Sequence, residues 1–170
     1  MIHENITRES AIDILGCYGI EGEDVYLIDI IPLIEMIWAD GMVLDTEILL
    51  LDDYICRHVN HINTQAGYEI ITVEHARAFA QQFLIDRPAP ELLRTIRSLI
   101  PPVRSSVSDP AANEALRESL IAACLDIASS STSEYPYELD ERFRLAEKYC
   151  FFDILDSLEG FRTRSENYLN

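Results

Sequence analysis

The spacing of apolar residues is the feature that most restricts the fold of this chain. Apolar side chains recur at intervals of three and four rather than two, and long β-branched runs are scarce. This pattern is typical of amphipathic helices and not of strands. Glycine, proline and capping residues divide it into seven segments. The sequence therefore predicts an all-α fold, a single-domain bundle of about seven helices over residues 1–170, with residues 160–170 as a tail that frays.

Local signals set the predicted limits of these helices. Thr7 and Thr72 precede helical segments as N-caps, and Asp45 is predicted to cap the third helix, because a side-chain oxygen there accepts an otherwise unpaired backbone N–H. Pro90 is predicted to start the fifth helix, since proline suits the first helical position. The proline pair at 101–102 is predicted to stop that helix.

The second predicted helix, residues 24–40, is the most apolar segment of the chain. Its apolar residues lie almost all the way round, which predicts burial on most sides, Trp38 included. Pro32 is predicted to kink this helix or to begin a new one. Asp29 and Asp40, eleven residues apart, would share one face of a regular α-helix, whereas Glu35 points elsewhere. Carboxylates on such a helix must be ion-paired, hydrated at an end, or bound to a cation.

The net charge of the chain restricts the classes of partner that it can bind. Thirteen Lys and Arg residues oppose thirty Asp and Glu residues, a net charge of −17. Residues 1–85 hold fifteen acids and three bases, a net charge of −12. Such a chain repels nucleic-acid phosphates and anionic membrane surfaces, so neither partner is expected. Cations and basic protein surfaces are the better match.

The cysteine pattern and the N-terminal sequence bear on location. No CxxC motif occurs, and all four cysteines lie among apolar neighbours, so each is predicted to be a small, reduced core residue. The N-terminus shows no signal peptide, and no apolar stretch reaches the roughly 20 residues that a membrane span needs. We therefore expect a cytoplasmic protein without direct membrane insertion.

Two stretches, residues 33–55 and 120–150, have the same plan: an apolar helix, a connection, then a Leu-Asp cap and a second helix. Within the first stretch, residues 37–47 have the sequence IWADGMVLDTE, and this segment resembles the motif of TerB-like tellurite-resistance domains. The resemblance covers roughly residues 24–155. It implies an all-α bundle of seven helices with two pseudo-repeated hairpins.

The resemblance also implies a function. For this chain it implies a non-enzymatic helical module of tellurite and stress resistance that acts through protein contacts, with membrane-associated resistance proteins among the expected partners. The acidic cluster of TerB-like domains implies a metal site. Asp40, Gly41 and Glu47 match the first motif, and Glu141 is the one clear counterpart in the second repeat, where serines at 129–130 replace Asp-Gly. Because of that replacement, the second repeat does not supply the residues that a symmetric two-part metal site would need.

The residues of the first hairpin support two interpretations on their own. Asp40, Asp45 and Glu47 lie within one tight turn, and carboxylate oxygens suit hard cations such as Ca²⁺ or Mg²⁺. The same residues are ordinary choices for capping helix ends, so both interpretations stay open. With Glu141 from the second repeat, the predicted ligands of a divalent cation are Asp40, Asp45, Glu47 and Glu141. No catalytic residue and no organic cofactor is predicted.

Two further groups of side chains are candidates for a role. His58 and His61 lie three apart near a helix end and are predicted to be exposed polar residues rather than metal ligands. A basic stretch on an otherwise acidic chain is predicted to be a hydrated face that pairs with the protein's own acids, or a docking patch for an acidic partner or a second copy. Its members are Arg87, Arg94, Arg97 and Arg104.

Two other functions stay open beside the stress-resistance module. One is a homo-oligomeric sensor, a homodimer in its simplest form, or another ligand-binding helical bundle, with its pocket beside the kinked second helix. The other is a metal-dependent hydrolase, which would need a histidine among the carboxylates to activate water.

Overall fold

The computed structural model describes residues 6–104, 109–130 and 145–159. These residues contain eight α-helices, seven of them eight residues or longer, one 3-10 helix and no strand, which confirms the all-α class. In chain order the helices are α1 (Arg8–Cys17), the 3-10 helix (Gly22–Ile30), α2 (Ile31–Trp38), α3 (Asp45–Ala66), α4 (Val73–Ile85), α5 (Pro90–Ser98), α6 (Ile100–Arg104), α7 (Pro110–Ser130) and α8 (Leu145–Leu158).

Helix α2 is the centre of the fold. All its residues from 31 to 37 are buried, whereas Trp38 at its end is only partly buried. It packs against α7, α5 and α8, and also against α4 and the 3-10 helix. The predicted burial of this segment is therefore confirmed, with Trp38 as the exception.

Most of the predicted helix limits are confirmed because they depend on local chemistry. Thr7 and Thr72 are N-caps, and the side-chain oxygen of each accepts a backbone N–H bond at 3.1 Å from the residue three positions further on. Gly67 ends α3 in the left-handed conformation at φ 79°, which glycine adopts without a Cβ clash. Pro90 occupies the first turn of α5, as expected.

Two of the predicted limits differ from the structure in detail. Asp45 is not the N-cap of α3 but its first residue, because Glu47 reaches back and accepts the backbone N–H of Leu44 at 2.9 Å. The fifth helix does end just before the proline pair at 101–102, at Ser98, but the pair itself lies in the first turn of α6. Proline fits there because the N–H groups of a first turn have no partner within the helix.

The predicted second helix is in fact two helices with different winding. Residues 22–30 form a 3-10 helix, and α2 begins at Ile31 with Pro32 in its first turn. Pro32 therefore marks a new start. The eleven-residue spacing of Asp29 and Asp40 does not place them on one face, because α-helical geometry does not extend through Asp29.

The four cysteines do not all lie in the core as predicted. Only Cys124 is buried; Cys56 and Cys150 are partly buried, and Cys17 is exposed. All four thiols are free. Apolar neighbours in the sequence do not decide burial, because consecutive residues of a helix point in different directions. Each cysteine is buried or exposed according to the helix face on which it lies.

Parts of the predicted plan fall outside the described residues. The second hairpin includes residues 131–144, so its repeat relation to the first hairpin, and with it Glu141, stays a prediction. The expected fraying of residues 160–170 is outside the described ranges as well. Among the helices that the structure does describe, none combines the length and the apolar character that crossing a membrane requires.

Candidate functional site

A cleft of about 240 Å³ opens between α2, α5 and α8, beside the second predicted helix. It brings together three arginines and two carboxylates in a strongly acidic chain. We call it the arginine cleft. Its polar and aromatic lining consists of Glu35, Trp38, Arg87, Arg94, Arg97, Tyr149, Cys150 and Asp153.

The local sequence explains how the charged groups reach this cleft. Glu35 is the one carboxylate of α2, and it is carried into the interior because every other position from 31 to 37 is apolar and packs on a neighbouring helix. Arg94 and Arg97 are three residues apart on α5, a spacing that places both on one helix face. The contact between α2 and α5 therefore sets these charges opposite Glu35.

Glu35 and Arg97 form a buried ion pair at the base of the cleft. The Arg97 Nη1 donates to Glu35 Oε1 at 3.0 Å, and the two residues are only 5% and 8% exposed. Burial raises the pKa of the Glu35 carboxyl from 4.5 to about 7, although the positive charges of Arg97 and Arg94 partly offset it. Glu35 therefore titrates close to neutral pH.

The ion pair leaves hydrogen-bonding capacity unused. Among the described residues, neither Glu35 Oε2 nor Arg97 Nε has a hydrogen-bond partner, although both atoms are buried. Buried polar atoms are nearly always hydrogen-bonded, because an unmade bond costs about 1–3 kcal/mol. The two residues that form the ion pair therefore carry one acceptor and one donor that make no hydrogen bond with the described residues.

The opposite wall of the cleft is held by Trp38. Its indole Nε1 donates to the carbonyl of Phe83 at 2.8 Å, which fixes the ring. Arg87 Nη2 donates to the carbonyl of Trp38 at 3.2 Å, and the guanidinium carbon lies 6.0 Å from the centre of the indole ring. The Arg87 charge is therefore positioned by Trp38 at the exposed edge of the cleft.

Helix α8 contributes the third side. Its aromatic residues Tyr149 and Phe152 are exposed, whereas Phe151 is partly buried against the core. Cys150 also lines the cleft, and burial raises the pKa of its thiol to about 12. A thiol with that pKa is protonated at neutral pH, which does not favour a nucleophilic role.

The predicted metal ligands lie apart from this cleft. Asp40 Oδ1 accepts the backbone N–H of Met42 at 2.9 Å, across Gly41 in the left-handed conformation. Glu47 is buried and makes the capping bond described above, whereas Asp45 is exposed. The geometry shows capping roles for Asp40 and Glu47, and in the described part of the chain no three His, Cys, Asp or Glu side chains form a group that could hold a metal ion.

A second buried polar cluster surrounds Asp29. His58 Nε2 and Arg104 Nε each lie 3.3 Å from Asp29 Oδ2, and both side chains also donate to the carbonyl of Tyr26. His58 is thus buried rather than exposed as predicted, and it stacks on Tyr54. Burial lowers the pKa of His58, while the negative charge of Asp29 opposes that change. This cluster joins the 3-10 helix to α3 and α6.

The sequence identified three of the five charged residues that line the arginine cleft. Arg87, Arg94 and Arg97 were candidates as a basic stretch, but Arg104 belongs to the Asp29 cluster. Glu35 was not selected as a site residue. The available signal was a single carboxylate within an otherwise apolar helix, which had to be paired, together with two arginines on one face of another helix.

Comparison of the chain with protein-family models, with curated proteins and with solved structures gives no match. The resemblance to TerB-like domains therefore depends on the motif at residues 37–47 and on the helical architecture, and it stays a prediction.

Proposed function

We propose that this protein is a non-enzymatic helical binding module, and that the arginine cleft binds a small anion. The observation that carries this proposal is the presence of Arg87, Arg94 and Arg97 in one cleft, where Arg97 is paired with the buried carboxylate of Glu35. The chain has only thirteen basic residues in 170, so three in one cleft is a marked concentration.

The charges of the cleft favour an anion. Glu35 and Arg97 neutralise each other, which leaves Arg87 and Arg94 against Asp153. The surplus positive charge lies in a partly enclosed site, where electrostatic attraction is stronger than on an open surface. Carboxylate and phosphate groups match the planar fork of an arginine side chain.

The unused polar atoms narrow the ligand further. Where the Glu35–Arg97 pair opens to the cleft, a molecule that donates to Glu35 Oε2 and accepts from Arg97 Nε would satisfy both buried atoms at once. A hydroxycarboxylate or a protonated phosphate has the required donor and acceptor, whereas a simple carboxylate lacks the donor. The volume of about 240 Å³ lies below that of typical sites for drug-sized ligands, so the ligand is small.

The test is titration by isothermal calorimetry at pH 8, where Glu35 is ionised, with phosphate, lactate and acetate as probes. We expect phosphate and lactate to bind more tightly than acetate, because only they donate to Glu35 Oε2. Quenching of Trp38 fluorescence reports the same site, since this is the one tryptophan of the chain.

The variant that tests the site is Arg94→Gln, because Arg94 is exposed and its removal does not disturb the core. We expect this variant to bind phosphate about fivefold more weakly, roughly 1 kcal/mol for a partly hydrated charge. Arg57→Gln is the control, an exposed arginine that pairs with Asp53 on α3. Equal losses in the two variants, or no saturable binding of any probe, would contradict the proposal.

We further propose that this binding module belongs to the TerB-like stress-resistance class. The support is the hairpin at residues 37–47, in which the Ala-Asp-Gly turn and the capping Glu47 have the arrangement that the motif implies. The cation experiment given in the Discussion tests this second proposal separately from the anion site.

A further inference from the structure

A second depression, on another face of the fold, lies between the first half of α3 and the second half of α4. We call it the α3–α4 groove; its volume is about 330 Å³. Its apolar lining comes from both helices, namely Ile48, Leu51, Ile55, Ala80, Leu84 and Ile85. Ile85 is 71% exposed, so the groove presents a large apolar side chain to solvent beside its other apolar residues.

The rim of the groove is acidic. Asp45, Ile48 and Asp52 follow one another along one face of α3, since positions i, i+3 and i+7 share a face. Asp86 follows Ile85 at the end of α4. Arg77 is the one cation among the described lining residues, and its Nε and Nη2 both donate to Asp52, at 2.6 and 2.9 Å. Asp52 therefore offsets the charge of Arg77. Asp45, one turn before Ile48 on the same face of α3, and Asp86, next to Ile85 in the chain, add negative charge beside the groove.

The dimensions of the groove match a helix. Ile48 and Ile55 are seven residues apart on α3, which corresponds to about 10 Å, or two helical turns. A partner helix of that length offers apolar side chains at i, i+4 and i+7 to one groove, the usual arrangement of helix-in-groove recognition.

We propose that the α3–α4 groove binds an amphipathic helix of a partner protein that carries apolar anchors at i, i+4 and i+7 and Lys or Arg residues on its flanks. The basic flanks are required by the acidic rim and by the net charge of −12 in residues 1–85. The same charges disfavour a second copy of this chain, which would bring two acidic rims together. The proposal does not depend on the arginine cleft.

The experiment measures fluorescence anisotropy of a labelled helical peptide of about 14 residues, roughly four turns, with leucine at i, i+4 and i+7 and lysine on its flanks. A second peptide has glutamate in place of each lysine, and a third keeps the composition of the first but scrambles the leucines. We expect saturable binding of the first peptide only, and weaker binding as the salt concentration rises. Equal binding of the scrambled or acidic peptide overturns the proposal.

Two pairs of variants locate the binding surface. Ile85→Gln is expected to weaken binding at least about fivefold, as for an apolar anchor at the centre of an interface. Leu49→Gln is the matched control, because Leu49 is also 71% exposed but does not line the groove. Asp86→Lys is expected to weaken binding of the lysine peptide, whereas Asp13→Lys, on the exposed face of α1, is expected to leave binding unchanged. Equal effects within either pair overturn the proposal.

Sedimentation equilibrium tests whether a second copy of this chain, rather than a partner helix, covers the groove. A wild-type dimer that Ile85→Gln converts to a monomer would show that a second copy covers the groove, and would overturn the proposed partner. A monomer that binds the lysine peptide, with the binding lost in Ile85→Gln, supports it.

Discussion

Replacing Glu35 with glutamine tests the buried ion pair with Arg97. The carboxyl has a pKa of 4.5 when unfolded and about 7 in the folded protein, so the folded state holds the proton more tightly. The resulting contribution to stability is fully present below pH 4.5 and is lost as the pH rises through 7. At ~1.36 kcal/mol per pH unit this loss amounts to about 3 kcal/mol, and most of it falls between pH 5 and pH 8.

The assay is urea unfolding of the wild type and of Glu35→Gln at pH 5, 6, 7 and 8, followed by circular dichroism. Glutamine keeps the size of the side chain and an acceptor for Arg97 but does not titrate. Other titrating groups are common to both proteins and cancel in the difference. One of them is His58, whose lowered pKa acts in the opposite sense and withdraws stability as the pH falls.

We expect the unfolding free energy of Glu35→Gln, relative to that of the wild type, to rise by about 2–3 kcal/mol between pH 5 and pH 8. Glu91→Gln, an exposed position on α5, is the control and should show no such movement. A difference that stays constant across this range would refute the reasoning, because Glu35 would then not change its protonation with folding.

Three further predictions concern the α2–α3 hairpin and its surroundings. Trp38→Phe should lower the unfolding free energy by at least about 1 kcal/mol in urea, because the indole bond to Phe83 is lost; no change would mean that this bond adds no stability. Gly41→Ala should cost about 1–2 kcal/mol in the same assay because its φ is 80°, and a neutral effect would contradict the left-handed turn. The cation hypothesis predicts that millimolar Ca²⁺ or Mg²⁺ raises the melting temperature of chelator-treated wild type but not of Asp40→Asn/Glu47→Gln, a gain of about 2.7 kcal/mol at 100 times Kd; equal responses would leave only the capping roles.

The sequence predicts those parts of the fold that depend on neighbours in the chain. Thr72 caps α4 and Gly67 ends α3 because each acts on backbone groups a few residues away. The 3-10 winding of residues 22–30 was not predictable in the same way, since an apolar run fits several windings and the choice is made by distant contacts. Burial of His58 has the same origin, because its partners Tyr26 and Asp29 are about thirty positions away.

The candidate site shows the same limit. Arg94 and Arg97 could be placed on one helix face from their spacing, but nothing local indicates that Glu35, sixty-two positions before Arg97, is the partner. The requirement that a buried carboxylate be compensated was evident, while the identity of the compensating group depends on how α2 and α5 pack. Tyr149 illustrates the same limit, because it is 67% exposed and nothing in its neighbours along the chain indicates that exposure.

The Asp29 cluster determines the register of the 3-10 helix. Seven residues separate Gly22 from Asp29. A 3-10 helix advances about 120° per residue and an α-helix about 100°, so rewinding this segment as an α-helix would change the angle between Gly22 and Asp29 about the helix axis by roughly 140°. With the Gly22 end held in place, Asp29 would then face away from His58 and Arg104, and its buried carboxylate would lose both neighbours. The buried charges therefore select the winding of the chain that leads into α2.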